Sequence, residues 1–599
     1  MAAADLKQEL LRNHVSVNGG FCNCIDQEEI LSDYRSDRQR PAPWSGNYPA
    51  LVFTVIFVLI FLLHLPLLRL PYFWDEAGYY VPAARDLLLT GSLIPHSTVS
   101  NAHPPLVLAW IALWWKIVGF APVVTRTAML IVAAFSLLGV FRLAERVANT
   151  RVATASTLCA ALYPVFFAQS SLAQLDLAAA GFTIWALSAY MEGQVFATVC
   201  WFTVAALAKE TAILAPLAIA AWETVGVFAH KSSLRKLWGD RNGHGGHLES
   251  KIESAWRIAT LLIPVLPLVL WYGYHFVRTG YVFGNPEFFR YNVAATLNPT
   301  RFFLALALRL WQVAAYLHLW FLTLPTVFAM WMLPPQGDSG RERPRISIPA
   351  QMIFYVVVMA YVVAMALIGG AVLARYMLPA VPLIITVSVS TLWRRLAYWQ
   401  GVIACVALAF VAGWFWNPPY GFAPEDNLAY RDYVILHEDG ERFLEARYPM
   451  ARVLTAWPAS DEVSRPWLGY TTRPMRVVRI EDFSLDEMLS AADFRSNYDV
   501  ALVFSTKYEP APALWDRWRA FTEKRTELKS RFFGFHRDLP PAAAAQILGG
   551  HVVLSEQRQG QWIAVIEMER VEEARKRLPF SFSNPVHAGS HQGTYSYLP

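Results

Sequence analysis

LVFTVIFVLIFLLHLPLLRL, residues 51–70, is an apolar run interrupted only by Thr54, His64, Pro66 and Arg69. A helix of about twenty apolar residues reaches across the roughly 30 Å hydrocarbon core of a bilayer. The run therefore reads as a membrane span. It begins only after a long polar stretch, which suits a first anchor better than a cleavable signal peptide. Directly behind it stands YFWDEAGYY, residues 72–80, with Asp75 and Glu76 side by side among aromatic rings.

The whole chain has the same bias. Its 599 residues are 55% hydrophobic and only 16% charged, and the mean hydropathy is +0.31, which is too apolar for an ordinary soluble enzyme of this length. A formal charge of +5 would suit nucleic acid only if the cations shared one polar face, and here they are scattered through short loops between apolar runs. No nucleic-acid partner is expected. The bilayer is. Cys159, Cys200 and Cys405 fall inside apolar runs and Cys22 and Cys24 in the polar N-terminal tail, so no disulfide framework or paired-cysteine zinc site is expected.

The apolar pattern predicts an α-helical polytopic membrane protein of about eleven spans, near 49–70, 123–143, 152–169, 177–192, 195–208, 211–229, 257–277, 311–333, 350–371, 376–393 and 399–416. Lys and Arg gather on the cytoplasmic side of spans. With residues 1–48 as a cytoplasmic tail, FRLAERVANTR (141–151), HKSSLRKLWGDRNGHGGH (230–247), GRERPRIS (340–347) and WRR (393–395) all fall in the cytoplasm. That agreement requires HPPLVLAWIALWWKIVG, 103–119, to be an interfacial helix within a first external loop, 71–122. An odd number of crossings then leaves 417–580 outside as a soluble α/β domain, where ARVLTAW, MRVVRI, DVALVF and GQWIAVIEM read as strands. Residues 581–599 read as a disordered tail.

Charges at the external boundary are the candidates for chemistry, because carboxylates near a bilayer are costly to desolvate and adjacent ones repel. Asp75 and Glu76 either cap the helix beginning near Ala77 or serve a reaction, one taking a proton and the other orienting an acceptor or holding a cation. Asp176 either caps the following span or shares a polar cavity with them. Arg126, Lys209 and Arg375 lie at the same level, where they could meet a phosphate, pair with Glu210 or Asp176, or snorkel to the interface. His96 and His103 flank the interfacial segment and serve either hydrogen bonding or, with the carboxylates, a divalent metal. Tyr79, Tyr80 and Tyr376 would line the cavity beside Asp176 and His103.

These pieces, in order, resemble the GT-C superfamily of integral-membrane glycosyltransferases, on the branch of the protein O-mannosyltransferases and the lipid A aminoarabinose transferases. The resemblance rests on YFWDEAGYY, NAHPPLVLAWIALWWKIVG, AQLDLAAAGFTIWALSAY, LAKET and ARYMLPAVPLIITVSV, spread over residues 49 to 395. It implies inverting transfer of a sugar from a polyprenyl-phosphate carrier to an acceptor lipid, protein or glycan on the external face of the membrane, in a bacterial inner membrane. Asp75 would be the catalytic base and Glu76 its acidic neighbour. Arg375, Lys209 and Arg126 would lie near the donor phosphate, although Glu210-Thr211 follows the lysine where relatives often have Gly-Pro. No cofactor beyond a possible divalent metal is implied. The competing expectation is a secondary transporter of a small polar solute, whose charges would sit at the midplane on broken helices in repeated halves.

Overall fold

The computed structural model describes residues 48–228, 247–286, 290, 296–335, 342–368, 370–508, 510 and 519–569. The N-terminal tail with Cys22 and Cys24, most of the basic stretch 230–247 and the tail expected over 581–599 lie outside the described residues.

The chain is a multi-pass membrane protein. Among the described residues five helices are long and apolar enough to cross a bilayer: Tyr48–Leu67, Pro122–Val147, Glu210–Val227, Glu253–Thr279 and Ile348–Leu367. Their surroundings differ. Only 17% of the first is buried, with Leu51, Val55, Val58, Leu59, Leu62 and Leu63 exposed and Phe53, Phe57 and Phe61 packed on the bundle, whereas 78% of Pro122–Val147 is buried. The other expected spans are shorter helices, among them Thr150–Leu162, Asp176–Met191, Val195–Ala208, Val381–Arg395 and Trp399–Phe415. Helices below the spanning length can persist at membrane depth where protein rather than lipid surrounds them.

One expected span is broken. The apolar run 311–333 divides into Pro299–His318 and Trp320–Met330, which meet at 103°. At the break Leu317 and His318 have φ of 42° and 69°, in the left-handed region that disfavours side-chain-bearing residues. The kink is held from outside the helix. Tyr316 donates to Asp426 Oδ2 at 2.5 Å, and the Leu317 backbone N–H donates to the Tyr420 hydroxyl at 3.2 Å.

After the last apolar helix the chain forms a five-stranded sheet: β1 (Arg452–Ala456), β2 (Arg476–Ile480), β3 (Val500–Phe504), β4 (Gly550–Arg558) and β5 (Gln561–Met568), in the order β2-β1-β3-β5-β4. The pairs β1–β2 and β1–β3 are parallel, and β3–β5 and β4–β5 antiparallel. All four strand-like runs read from the sequence are strands, and β4 is an addition to them. Strand β3, VALVF, is buried along its whole length, as a continuous apolar run in a covered central strand should be.

The sheet region is not packed separately. A single core runs from Tyr72, Phe73 and Ala77 in the first loop to Tyr433, Val453, Tyr470 and Val500 beside the sheet. Tyr470 donates to the Tyr72 carbonyl at 3.0 Å. Gly78 permits the close approach, since a Cβ there would stand 2.5 Å from the Trp457 indole nitrogen. The loop carrying Asp75 is thus clamped between the helical bundle and the sheet.

Candidate active site

The first loop turns sharply at Trp74, whose φ of 45° is left-handed. A non-glycine residue held there costs about 1–2 kcal/mol, and packing supplies the restraint: the Trp74 ring meets Trp457 and Tyr433 edge-on at 5.2 and 5.6 Å. A five-residue π-turn, Glu76–Tyr80, follows and runs into the helix Val81–Thr90. Asp75 occupies the cap position of that turn but makes no capping hydrogen bond.

Asp75 and Glu76 point to different partners. Glu76 is wholly buried and closes an ion pair with Arg126, whose Nη2 donates to Oε2 at 2.9 Å. The backbone N–H groups of Phe73 and Ala173 also donate to it, at 2.8 and 2.5 Å. Arg126 is equally buried and donates further to the carbonyls of Pro71 and Ser171. This pair ties the first loop to Pro122–Val147 and to the turn before Asp176. The expectation that both carboxylates work on substrate therefore divides: Glu76 is engaged in a closed pair. Arg126, expected near a donor phosphate, has both terminal nitrogens committed to Glu76 and two carbonyls, and its Nε has no partner among the described residues.

Asp75 belongs to a second cluster centred on Arg375. Arg375 lies on the short turn Ala374–Met377, and its Nη2 donates to Asp75 Oδ2 at 2.6 Å. Its Nη1 donates to Glu425 Oε2 at 2.7 Å and to the Gln174 side-chain carbonyl, while Nε stands 3.3 Å from Asp176 Oδ2. Asp176 in turn accepts from Lys209 Nζ at 2.6 Å, and its helix has no side-chain cap. The capping readings of Asp75 and Asp176 are both replaced by ion pairs. Of the carboxylates on Arg375, Asp75 has a side chain 18% exposed, against 4% for Asp176 and 6% for Glu425. Asp75 is the member that solvent or a substrate can reach. Its Oδ1 has no hydrogen-bond partner among the described residues.

Glu425, Gln174 and Asp426 were not legible as site residues. Gln174 Nε2 also donates to Glu425 Oε2, at 2.9 Å. Burial outweighs the adjacent guanidinium at Glu425 and pushes its carboxyl above the usual range. At Asp426, burial and then the Glu425 charge push the carboxyl up to about 7. A signal existed in the sequence: PED at 424–426 places two adjacent acids just beyond the last apolar run, as DE does beyond the first.

Tyr376 is the second focus. Three cations face its ring: Lys209 Nζ at 4.4 Å, Arg309 at 5.4 Å and Arg375 at 5.7 Å from the centroid. Lys209 and Arg375 have carboxylate partners. Arg309 has none among the described residues. It is fully buried, its Nε and Nη1 donate to the Met365 and Leu373 carbonyls and to Gln312, and its Nη2 has no partner among those residues. A buried guanidinium without a counter-ion is costly unless an anion completes the site.

The remaining candidates sit around this pair of clusters. Tyr80 is buried, its ring 6.2 Å from that of His103, and burial followed by the Asp75 charge holds its phenol well above the usual value. Tyr79 packs against Trp457 at 5.5 Å. His103 Nδ1 lies 2.9 Å from Glu210 Oε2, so Glu210 engages the histidine, while Lys209 turns to Asp176. Neither His96 nor His103 joins a group of three potential metal ligands among the described residues.

Residues 102–239 match the sequence family described as dolichyl-phosphate-mannose-protein mannosyltransferase. No curated protein matches the chain in sequence. Among solved structures, ArnT from Cupriavidus metallidurans bound to undecaprenyl phosphate is similar at 13% identity and a TM-score of 0.48, over 87% of this chain and 98% of that one. The Archaeoglobus fulgidus oligosaccharyltransferase in complex with Zn and sulfate is similar at 12% identity and 0.42, over 86% and 72%. The arabinofuranosyltransferase AftD from Mycobacteria is similar at 12% identity and 0.40, over 88% and 40%.

Proposed function

We propose that this chain is a GT-C-type glycosyltransferase that moves a sugar from a polyprenyl-phosphate carrier to an acceptor hydroxyl or phosphate at the external membrane surface. The observation that carries the reading is the placement of Asp75: the most accessible acid on Arg375, one oxygen held and the other unpartnered, just beyond an apolar helix. The match of residues 102–239 to a family described by a dolichyl-phosphate donor supports the same reaction class.

In this reading Arg375 fixes Asp75 Oδ2 and leaves Oδ1 to accept the proton of the attacking acceptor. The acceptor oxygen bonds to the anomeric carbon from the face opposite the carrier, which inverts it. The bond from that carbon to the phosphate oxygen breaks, and its electron pair leaves with the polyprenyl phosphate. Arg309, with Lys209 and the Tyr376 hydroxyl beside it, would take the growing phosphate charge. The pair Glu76–Arg126 holds the loop and positions Asp75. The topology that goes with this reading is about eleven crossings, the N-terminus in the cytoplasm, and the sheet domain and Asp75 outside in a bacterial inner membrane.

Purified protein in proteoliposomes, supplied with radiolabelled prenyl-phosphate sugar and membrane extract as acceptor, tests the reaction. Release of free prenyl phosphate coupled to label in a glycan supports it. Label that merely crosses the bilayer unchanged would identify a transporter instead.

A further inference from the structure

A second cluster of ionisable groups lies away from Asp75, beneath the sheet. His437 and Glu441 are one turn apart on the helix Ala429–Arg447, and Glu462 comes from the short helix Ala459–Ser464. All three side chains are essentially without exposure. His437 Nδ1 stands 2.6 Å from Glu462 Oε2 and 3.7 Å from Glu441 Oε1, and the three donor atoms lie within 4.8 Å of one another. Four buried polar atoms here have no hydrogen-bond partner among the described residues unless one carboxyl keeps a proton for the other: His437 Nε2, both oxygens of Glu441, and Glu462 Oε1. Two carboxylates this deep, facing one another without a cation, would be strongly unfavourable.

We infer that His437, Glu441 and Glu462 form a binding site for a divalent metal ion of the zinc class. An imidazole with two carboxylates is a zinc-type donor set that leaves one position for water. Tetrahedral zinc places its donors about 3.4 Å apart, so the 2.6 Å contact of His437 Nδ1 with Glu462 Oε2 must open and the widest separation, within 4.8 Å, must close, both by side-chain rotation. The ion would neutralise the buried carboxylates and join two helices beneath the sheet, where His437 packs on Phe504 of the central strand β3 at 4.6 Å. The His437 ring stacks on Tyr433 at 3.9 Å, and Tyr433 packs against Phe73 and Trp74 at 5.1 and 5.6 Å. The metal therefore braces the support of the loop that carries Asp75. This inference stands on its own geometry and does not depend on the sugar-transfer reading.

Full-length protein purified in detergent without chelator is expected to hold close to one zinc per chain by elemental mass spectrometry. Chelation should lower its melting temperature by several degrees, and added zinc chloride should restore it. Glu441→Gln should lose the metal and the response to zinc, while His551→Gln, at an exposed histidine outside the cluster, should keep both. Wild-type protein that carries no metal and does not respond to added zinc would overturn the proposal and leave a proton-sharing cluster in its place. The wild-type measurements decide the matter even if Glu441→Gln does not fold.

Discussion

Arg375 Nη2 donates to Asp75 Oδ2 across 2.6 Å, joining residues 300 positions apart in the chain. The same guanidinium reaches Glu425 and stands beside Asp176, so one side chain assembles acids from three segments. Lysine can keep the charge but not the planar fork. Arg375→Lys should therefore fold with reduced stability, about 3 kcal/mol for a damaged buried network, and lose most transfer activity. Near-wild-type activity of the folded variant in proteoliposomes would show that the fork does not position Asp75.

Glu76 and Arg126 are each fully buried, and each is the other's only charge partner among the described residues. Removing one strands the other, at about 3–5 kcal/mol. Glu76→Gln and Arg126→Met should each be strongly destabilised, and the double variant should recover much of the loss. Thermal melts of the four proteins form the cycle. Strictly additive losses would show that the pair is not coupled.

Arg309 has a buried Nη2 without a partner and no carboxylate in reach among the described residues. Arg309→Gln should leave the melting temperature unchanged or higher, since an uncompensated charge is removed. Affinity for polyprenyl phosphate should fall about tenfold or more, as expected for a charge-assisted phosphate contact. Equal binding by variant and wild type would remove Arg309 from the donor site.

Asp426, held up to about 7 by burial and the Glu425 charge, makes stability depend on pH. Its folded value lies above its ordinary one, so the folded state keeps a proton that the unfolded state releases. Stability should then fall as pH rises from about 4 to about 7. Asp426→Asn keeps an acceptor for the Tyr316 hydroxyl and removes the titration. Its melting temperature should exceed that of wild type at pH 8 and approach it at pH 5; parallel profiles would contradict the assignment.

Much of the helical bundle was legible in the apolar runs, and Asp75, Arg375 and Tyr376 stood out because charge and aromatic residues interrupt them. The break at Leu317 and His318 was not, because neither residue is a glycine or proline and the contacts that hold it come from Tyr420 and Asp426. The partner of Glu76 lies 50 positions away, a distance at which sequence shows two isolated charges and no pair. Arg309 escaped because it stands two residues before the apolar run taken as a span. Its significance comes from Tyr376 and an orphaned nitrogen, and both are tertiary facts.

In the proposed reaction the Asp75 carboxylate takes the acceptor proton. Asp75→Asn retains an oxygen for Arg375 and so should melt within a few degrees of wild type, while sugar transfer in proteoliposomes drops by about 100-fold or more, the usual contribution of a general base. Transfer at close to the wild-type rate by a correctly folded Asp75→Asn protein would contradict the account.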